Sequence, residues 1–200
     1  MTAATPPLPS HPPCDSYDLD YPEIGASTDL RAALPAGYNH LRHRALLGHG
    51  RAALDAAGAA LLDWRMHRAA GVRITTEADR AAPGVAVHCA IGLGPFRAGA
   101  PCRVLWSTGG DGAGDRYGFT YGTRPGHLAI GEETFVVEMG ADKAVWFTVN
   151  AFSRPRAWYA HLAGPLLPLA QHLFAHLCTR TLTRIATGAS RPKHHVPLRA

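Results

Sequence analysis

The sequence is short of the features that would assign it a chemistry at once. Its four cysteines, Cys14, Cys89, Cys102 and Cys178, form no C-x-x-C pair, which argues against a zinc ribbon or a dithiol redox centre. No G-x-G-x-x-G, P-loop or G-x-S-x-G occurs, so nucleotide-binding and serine-hydrolase chemistry lose their usual support and no cofactor is expected. Long hydrophobic runs are missing too. The most apolar stretch, 162–177, is interrupted by Pro165, Pro168, Gln171, His172 and His176, too often to span a bilayer. With no positive n-region and no apolar h-region, a signal peptide is not expected, and the cytoplasm is the default compartment. Charged residues are scarce at 18 % against 46 % hydrophobic, a globular balance rather than a disordered one.

The charge that is present is basic, a net +5, but it does not cluster. It is spread as Arg42/Arg44, Arg65/Arg68, Arg154/Arg156, Arg180/Arg184 and a short tail, so nucleic acid is not an expected partner. Peripheral contact with an anionic membrane surface through the basic helix end stays open. Nothing in the sequence fixes the oligomeric state.

Along the chain, residues 1–20 hold five prolines and read as a disordered leader, and 188–200 as a disordered basic tail. Between them one domain, 21–187, is expected. After an irregular stretch, 37–47 alternates as a strand. Gly48 and Gly50 break it, and the alanine-rich 51–70 predicts a single helix with Leu54, Leu61, Leu62 and Met66 on its buried stripe and Gly71 as its stop. From Val72 to Ala151 the period becomes two, with turn clusters at 83–84, 109–115, 124–126 and 140–143. Six consecutive strands result. They must be antiparallel, because no helix is available for crossovers.

Helix returns in the last third. Ser153 and Pro155 are expected to cap its start. Trp158, Leu162, Leu166, Leu169, Leu173 and Leu177 recur at three- and four-residue steps and predict its buried face. The expected fold class is therefore α+β, a curved seven-stranded antiparallel sheet gripping a long C-terminal helix. This order of elements resembles the helix-grip arrangement of the START and birch-pollen-allergen-like proteins.

Between Tyr117 and Pro155 the sequence becomes specific. YGFTYGTRPGH, GEETFVVE and VWFTVNAFSRP, with YPEIG at 21–25, GYNHLRHRALLGHGRAA at 37–53, LLDWRMHRAAGV at 61–72 and APCRV at 100–104, closely resemble the family known as domain of unknown function 1990. The likeness runs over about residues 20–186. Arg124 and Leu54 depart from it, standing where Leu and Phe are usual, and His172 and His176 stand where the family tends to be basic. The resemblance implies kinship with helix-grip ligand binders and no particular reaction.

Several residues are candidates for chemistry. Pro125-Gly126 suits the centre of a type II turn, which brings His127 beside Glu132 and Glu133. Alternation turns Glu133 inward with Phe135, Val137 and Met139, and Glu132 outward with Thr134 and Val136. An inward carboxylate needs a partner, which His127, Arg103, Arg124, Tyr117 or Tyr121 could supply, and a cavity-facing Glu133 near His127 would suit general acid/base chemistry. Fixing loop N–H groups is the competing structural role for Glu133. Trp106, Tyr117, Phe119, Tyr121, Phe135, Phe147 and Trp158 are expected to line a pocket, with Arg124 and Arg154 as polar contacts at its end. Trp64, Arg65, His67 and Arg68 form a second dense patch, in which Trp64 reads as core and Arg65 and Arg68 as a solvated face, with a ligand role as the alternative. His172 and His176 are four apart on a helix, yet no Glu follows His172 and no metal is expected. The leading expectation is a binder of a hydrophobic small molecule or lipid. Its rivals are a cyclase-, dehydratase- or isomerase-type enzyme using His127 and Glu133, and an interaction module at a membrane surface.

Overall fold

The period-two alternation becomes strand in the computed structural model, which describes residues 18–93, 96–109, 114–156 and 166–188. Strand β1 (Asn39–His49) is followed by helices α1 (Arg51–Leu62) and α2 (Arg65–Ala69). Six strands come next: β2 (Arg73–Thr76), β3 (Ala86–Leu93), β4 (Phe96–Thr108), β5 (Arg116–Thr123), β6 (Ala129–Met139) and β7 (Ala144–Pro155). Helix α3 (Leu166–Ala186) closes the order. All seven strands lie in one antiparallel sheet, ordered β1-β7-β6-β5-β4-β3-β2. The hairpin-by-hairpin order follows from short turns, and β1 reaches β7 because the two helices carry the chain across the inner face. This is a helix-grip fold, as expected.

The predicted helix over 51–70 is two helices. Trp64 adopts a left-handed backbone, φ 62°, and breaks the hydrogen-bond ladder between them. The break turns α2 so that both Trp64 and His67 point into the core, fully buried. Leu54, Leu61, Leu62 and Met66 are buried as the spacing predicts, and Gly71 ends α2 at φ 92°. Helix α1 lies close on the sheet: a Cβ on Gly58 would sit 2.2 Å from Cγ of Tyr117, whose hydroxyl donates to Asp55 of the same helix at 2.8 Å.

Two packing expectations are corrected. Helix α3 does not bury its leucine ridge, for Leu169 is 64 % and Leu173 58 % exposed, with Leu177 also open. The seated face is Ala175, Cys178 and Leu182, flanked by Phe174 and Ile185. Ala175 and Cys178 are small, which lets the α3 backbone come close to the layer beneath, whereas a row of leucines would hold it off. The predicted cap at Ser153 is absent as well. Ser153 is a strand residue opposite Asn39 and Gly131, and its hydroxyl accepts from Gln171 of α3 at 2.8 Å. Trp158 lies outside the described residues, as do the leader over 1–17 and the tail over 189–200.

The outer face of the sheet is not left to water either. Tyr21 and Leu34 pack on Phe152 there, with Leu19, Ile24, Tyr38 and Ile130 around them. The irregular segment before β1 thus forms a second small core behind the sheet.

Candidate functional site

The inner face of the sheet divides into a filled half and an open half. Under α1, Tyr117, Phe119, Phe135 and Phe147 pack as core, with Trp64 5.1 Å from Phe119 and Phe147 stacked 6.4 Å from Phe135. These four were expected to wall a pocket, but among them none lines the cavity. They plug the end of the grip where the helix presses on the sheet. The cavity, about 360 Å³, opens at the other end, where the strands carry small inward residues: Cys89 on β3, Ala100 and Cys102 on β4, Ala151 on β7. Helix α2 with the residues after it contributes His67, Ala70 and Val72, and α3 contributes Leu173, Phe174 and Leu177. Two of the exposed leucines of α3, Leu173 and Leu177, therefore stand at the cavity rim.

Trp106 is on the wrong face for a pocket. A bulge between Val104 and Trp106 shifts the register, so that Val104 opposes Tyr121 while Trp106 opposes Thr120. One extra residue reverses every side chain beyond it. Trp106 consequently lies on the outer face, with the Arg116 guanidinium 5.7 Å from its ring centre. Arg124 and Arg154 also point away from the cavity. Arg124 pairs with Asp18 at 2.9 Å, and Arg154 lies 5.0 Å over the Tyr38 ring.

Of the candidates, His127, Glu133 and Tyr121 do meet at the cavity. The turn before β6 is the expected one, with His127 N–H donating to Arg124 C=O at 3.1 Å and Gly126 at φ 94°. His127 Nδ1 accepts from Ala129 N–H at 2.9 Å, which places the ring proton of the neutral form on Nε2. Burial lowers its pKa. Glu133 opposes Tyr121 on β5 and Ala151 on β7, facing inward as alternation requires. It accepts one hydrogen bond among the described residues, from the Tyr121 hydroxyl at 2.9 Å. Neither His127, Arg103, Arg124 nor Tyr117 bonds to it. Burial lifts the Glu133 carboxyl to about 7, the tyrosine bond pulling only weakly the other way.

The structural role considered for Glu133 belongs instead to its neighbour. Glu132 points to the outer face, yet it is buried. Its carboxylate accepts from Gly25 N–H at 2.7 Å, Ser27 N–H at 2.8 Å, Ser27 Oγ at 2.5 Å and the Tyr21 hydroxyl at 3.1 Å. Desolvation raises its pKa and these donors oppose the rise. Two adjacent glutamates thus do different things, one clasping a loop and one left open to a cavity.

His67, which the sequence placed only in the patch around Trp64, also stands at the cavity. It is fully buried, lines the cavity, and neither ring nitrogen has a hydrogen-bond partner among the described residues. Trp64, Phe119, Tyr121, Phe135 and Phe174 surround it at 5.1–6.2 Å. That apolar shell pushes its pKa down to about 3, so the ring is neutral. Only the break at Trp64 turns it inward, and a left-handed tryptophan leaves no signal in a hydrophobic pattern. Cys89 and Cys102 are buried free thiols, as expected, with the Cys102 thiol pushed up by its contact with Cys89 and by burial. Among the described residues no group of His, Cys, Asp and Glu is arranged to hold a metal. His176 instead packs its ring against His43 at 5.0 Å.

Comparison with known proteins agrees with this architecture. A protein of the UPF0548 group from Deinococcus radiodurans is 36 % identical over 176 residues, 83 % of this chain and 86 % of the relative. One from Arabidopsis thaliana is 37 % identical over 59 residues, 30 % of this chain and 29 % of the relative. Among solved structures, a hypothetical protein of Helicobacter pylori superposes with a TM-score of 0.57 at 11 % identity, covering 86 % of this chain and 96 % of that one. No helix among the described residues is long and apolar enough to cross a membrane. The motif-rich strands, the turn at Gly126 and the paired glutamates all fall within residues 20–181, which match a single family throughout, and the chain belongs to that family, the domain of unknown function DUF1990.

Proposed function

We propose that the protein binds an apolar small molecule in the cavity between the sheet and α3. The observation that carries this is the pairing of an open, apolar cavity of about 360 Å³ with leucines at its rim that the fold leaves uncovered. That volume is within the range of small-molecule sites, about 300–1,000 Å³. Leaving Leu173 half exposed at the rim forgoes part of the roughly 1.5–3 kcal/mol that full burial of a leucine gives, a cost that a ligand recovers. Native mass spectrometry of gently purified protein should show a bound apolar molecule. Protein that is empty on repeated preparation, and that fails to bind a neutral apolar fluorophore, would refute the reading.

One observation favours a second reading, an enzyme of the isomerase, cyclase or dehydratase type. Glu133 is a carboxyl facing a cavity with its pKa raised to about 7, where both protonation states are populated at neutral pH. His127 lines the same cavity. Turnover of a carbonyl compound that is lost in Glu133→Gln, with ligand affinity kept, would establish it. Turnover that survives the substitution would remove Glu133 from the chemistry.

A further inference from the structure

Each polar group of the cavity wall has a definite capacity. Glu133 is the carboxylate on the inner face there, and its one hydrogen bond leaves most of its acceptor sites open. Glu132, next to it, has its acceptor sites taken by the loop behind the sheet. His67 offers a bare imidazole nitrogen as acceptor, and its ring touches Tyr121, the residue that bonds Glu133. Among the described lining residues there is no lysine and no arginine; Arg103 and Arg154 are engaged on the outer face or at its edge, and Arg124, whose charge reaches Cys102 of the wall, is paired with Asp18. The wall is therefore rich in unsatisfied acceptors and poor in cations.

We infer that the cavity discriminates by charge: its occupant is an apolar molecule carrying a protonated amine, set against Glu133, and anionic amphiphiles such as fatty acids are rejected. The inference rests on the apolar-cavity reading above. An ammonium group brings up to three donors, which fill the open sites of Glu133 and can reach the bare nitrogen of His67. A carboxylate head would enter a low-dielectric wall with no countercharge and would face Glu133 itself. The other titratable groups around Glu133 do not reverse this. His67 and His127 are held neutral by burial, and Tyr121, Cys102 and Cys178 are held in their neutral, protonated forms.

The test uses the full chain and three ligands with one eight-carbon tail. Octylamine, octanol and octanoate compete with the neutral fluorophore N-phenyl-1-naphthylamine at about pH 8.5, where amine and Glu133 are both charged. Octylamine should displace the probe at about ten- to hundredfold lower concentration than octanol, the range of a charge-assisted hydrogen bond. Octanoate should need at least about tenfold more than octanol. In Glu133→Gln the amine should fall to the level that octanol shows in the same variant. Independently of the variant, the amine advantage in the wild type should shrink at about pH 5, where Glu133 takes up a proton. Octanoate binding as well as octanol, or an amine advantage that survives both Glu133→Gln and the acid shift, overturns the inference while leaving an apolar cavity. A probe that does not bind at all overturns the cavity reading instead.

Discussion

Glu133→Gln tests the electrostatics of the cavity without any ligand. Glu133 titrates near 7 in the folded chain against an ordinary carboxyl value of 4.5. Between those two values the folded state holds a proton that the unfolded state has released. Stability therefore declines as pH rises through the window from 4.5 to 7, and the full loss is present above it. At about 1.4 kcal/mol for each tenfold, the loss is at most about 3–4 kcal/mol, less whatever water in the open cavity screens. Glutamine keeps an acceptor for the Tyr121 hydroxyl and nearly the same volume, but carries no charge to desolvate. Urea denaturation of both proteins at about pH 4.5 and pH 8.5 isolates the effect, because every other titrating group cancels in the double difference. The wild type should lose about 2–3 kcal/mol more than the variant between the two pH values, or roughly 4–12 °C in Tm for a domain of this size. Equal pH dependence in the two proteins, within about 0.5 kcal/mol, would refute the account of Glu133 as a desolvated, weakly partnered carboxyl.

Further outcomes follow from the packing. Glu132→Ala leaves two backbone N–H groups and two hydroxyls without their acceptor and should cost about 3–5 kcal/mol by denaturant titration, far more than a surface glutamate would. Gly58→Ala should destabilise by about 1–3 kcal/mol although alanine favours helix, since its Cβ has no room against the Tyr117 ring. Leu182→Ala should cost about 2–5 kcal/mol, whereas Leu173→Ser should change stability by under about 1 kcal/mol and weaken binding of a neutral apolar probe. A reversed order for that last pair would restore the leucine ridge as the buried face of α3.

The fold was legible because it rests on periodicity. Strict alternation in β3, β5, β6 and β7 and the lack of crossover helices leave one antiparallel sheet, and Glu133 inherits its inward direction from Phe135 two residues on. What was not legible depends on single residues that periodicity does not register. The bulge before Trp106 moves one aromatic to the other face. The left-handed Trp64 breaks a helix that alanine content alone would continue, and so brings in His67. On α3 two stripes compete, and leucine content favours the wrong one, because what decides is how near the helix axis must come and hence where Ala175 and Cys178 lie. The candidate pocket shared this fate. Large aromatics were expected to wall it, but large aromatics fill space, and a void is found where Cys89, Ala100, Cys102 and Ala151 leave it.

The clasp formed by Glu132 changes what counts as dispensable in this chain. A deletion designed from composition would stop at the first regular strand and discard Tyr21, Gly25 and Ser27 with the proline-rich stretch before them. Such a shortened protein would keep every strand and helix, yet expose Phe152 to water and strand a carboxylate in the middle of the sheet's back. Any trimming would also have to keep Asp18, whose side chain pairs with Arg124, and Asp20, which anchors to Arg156.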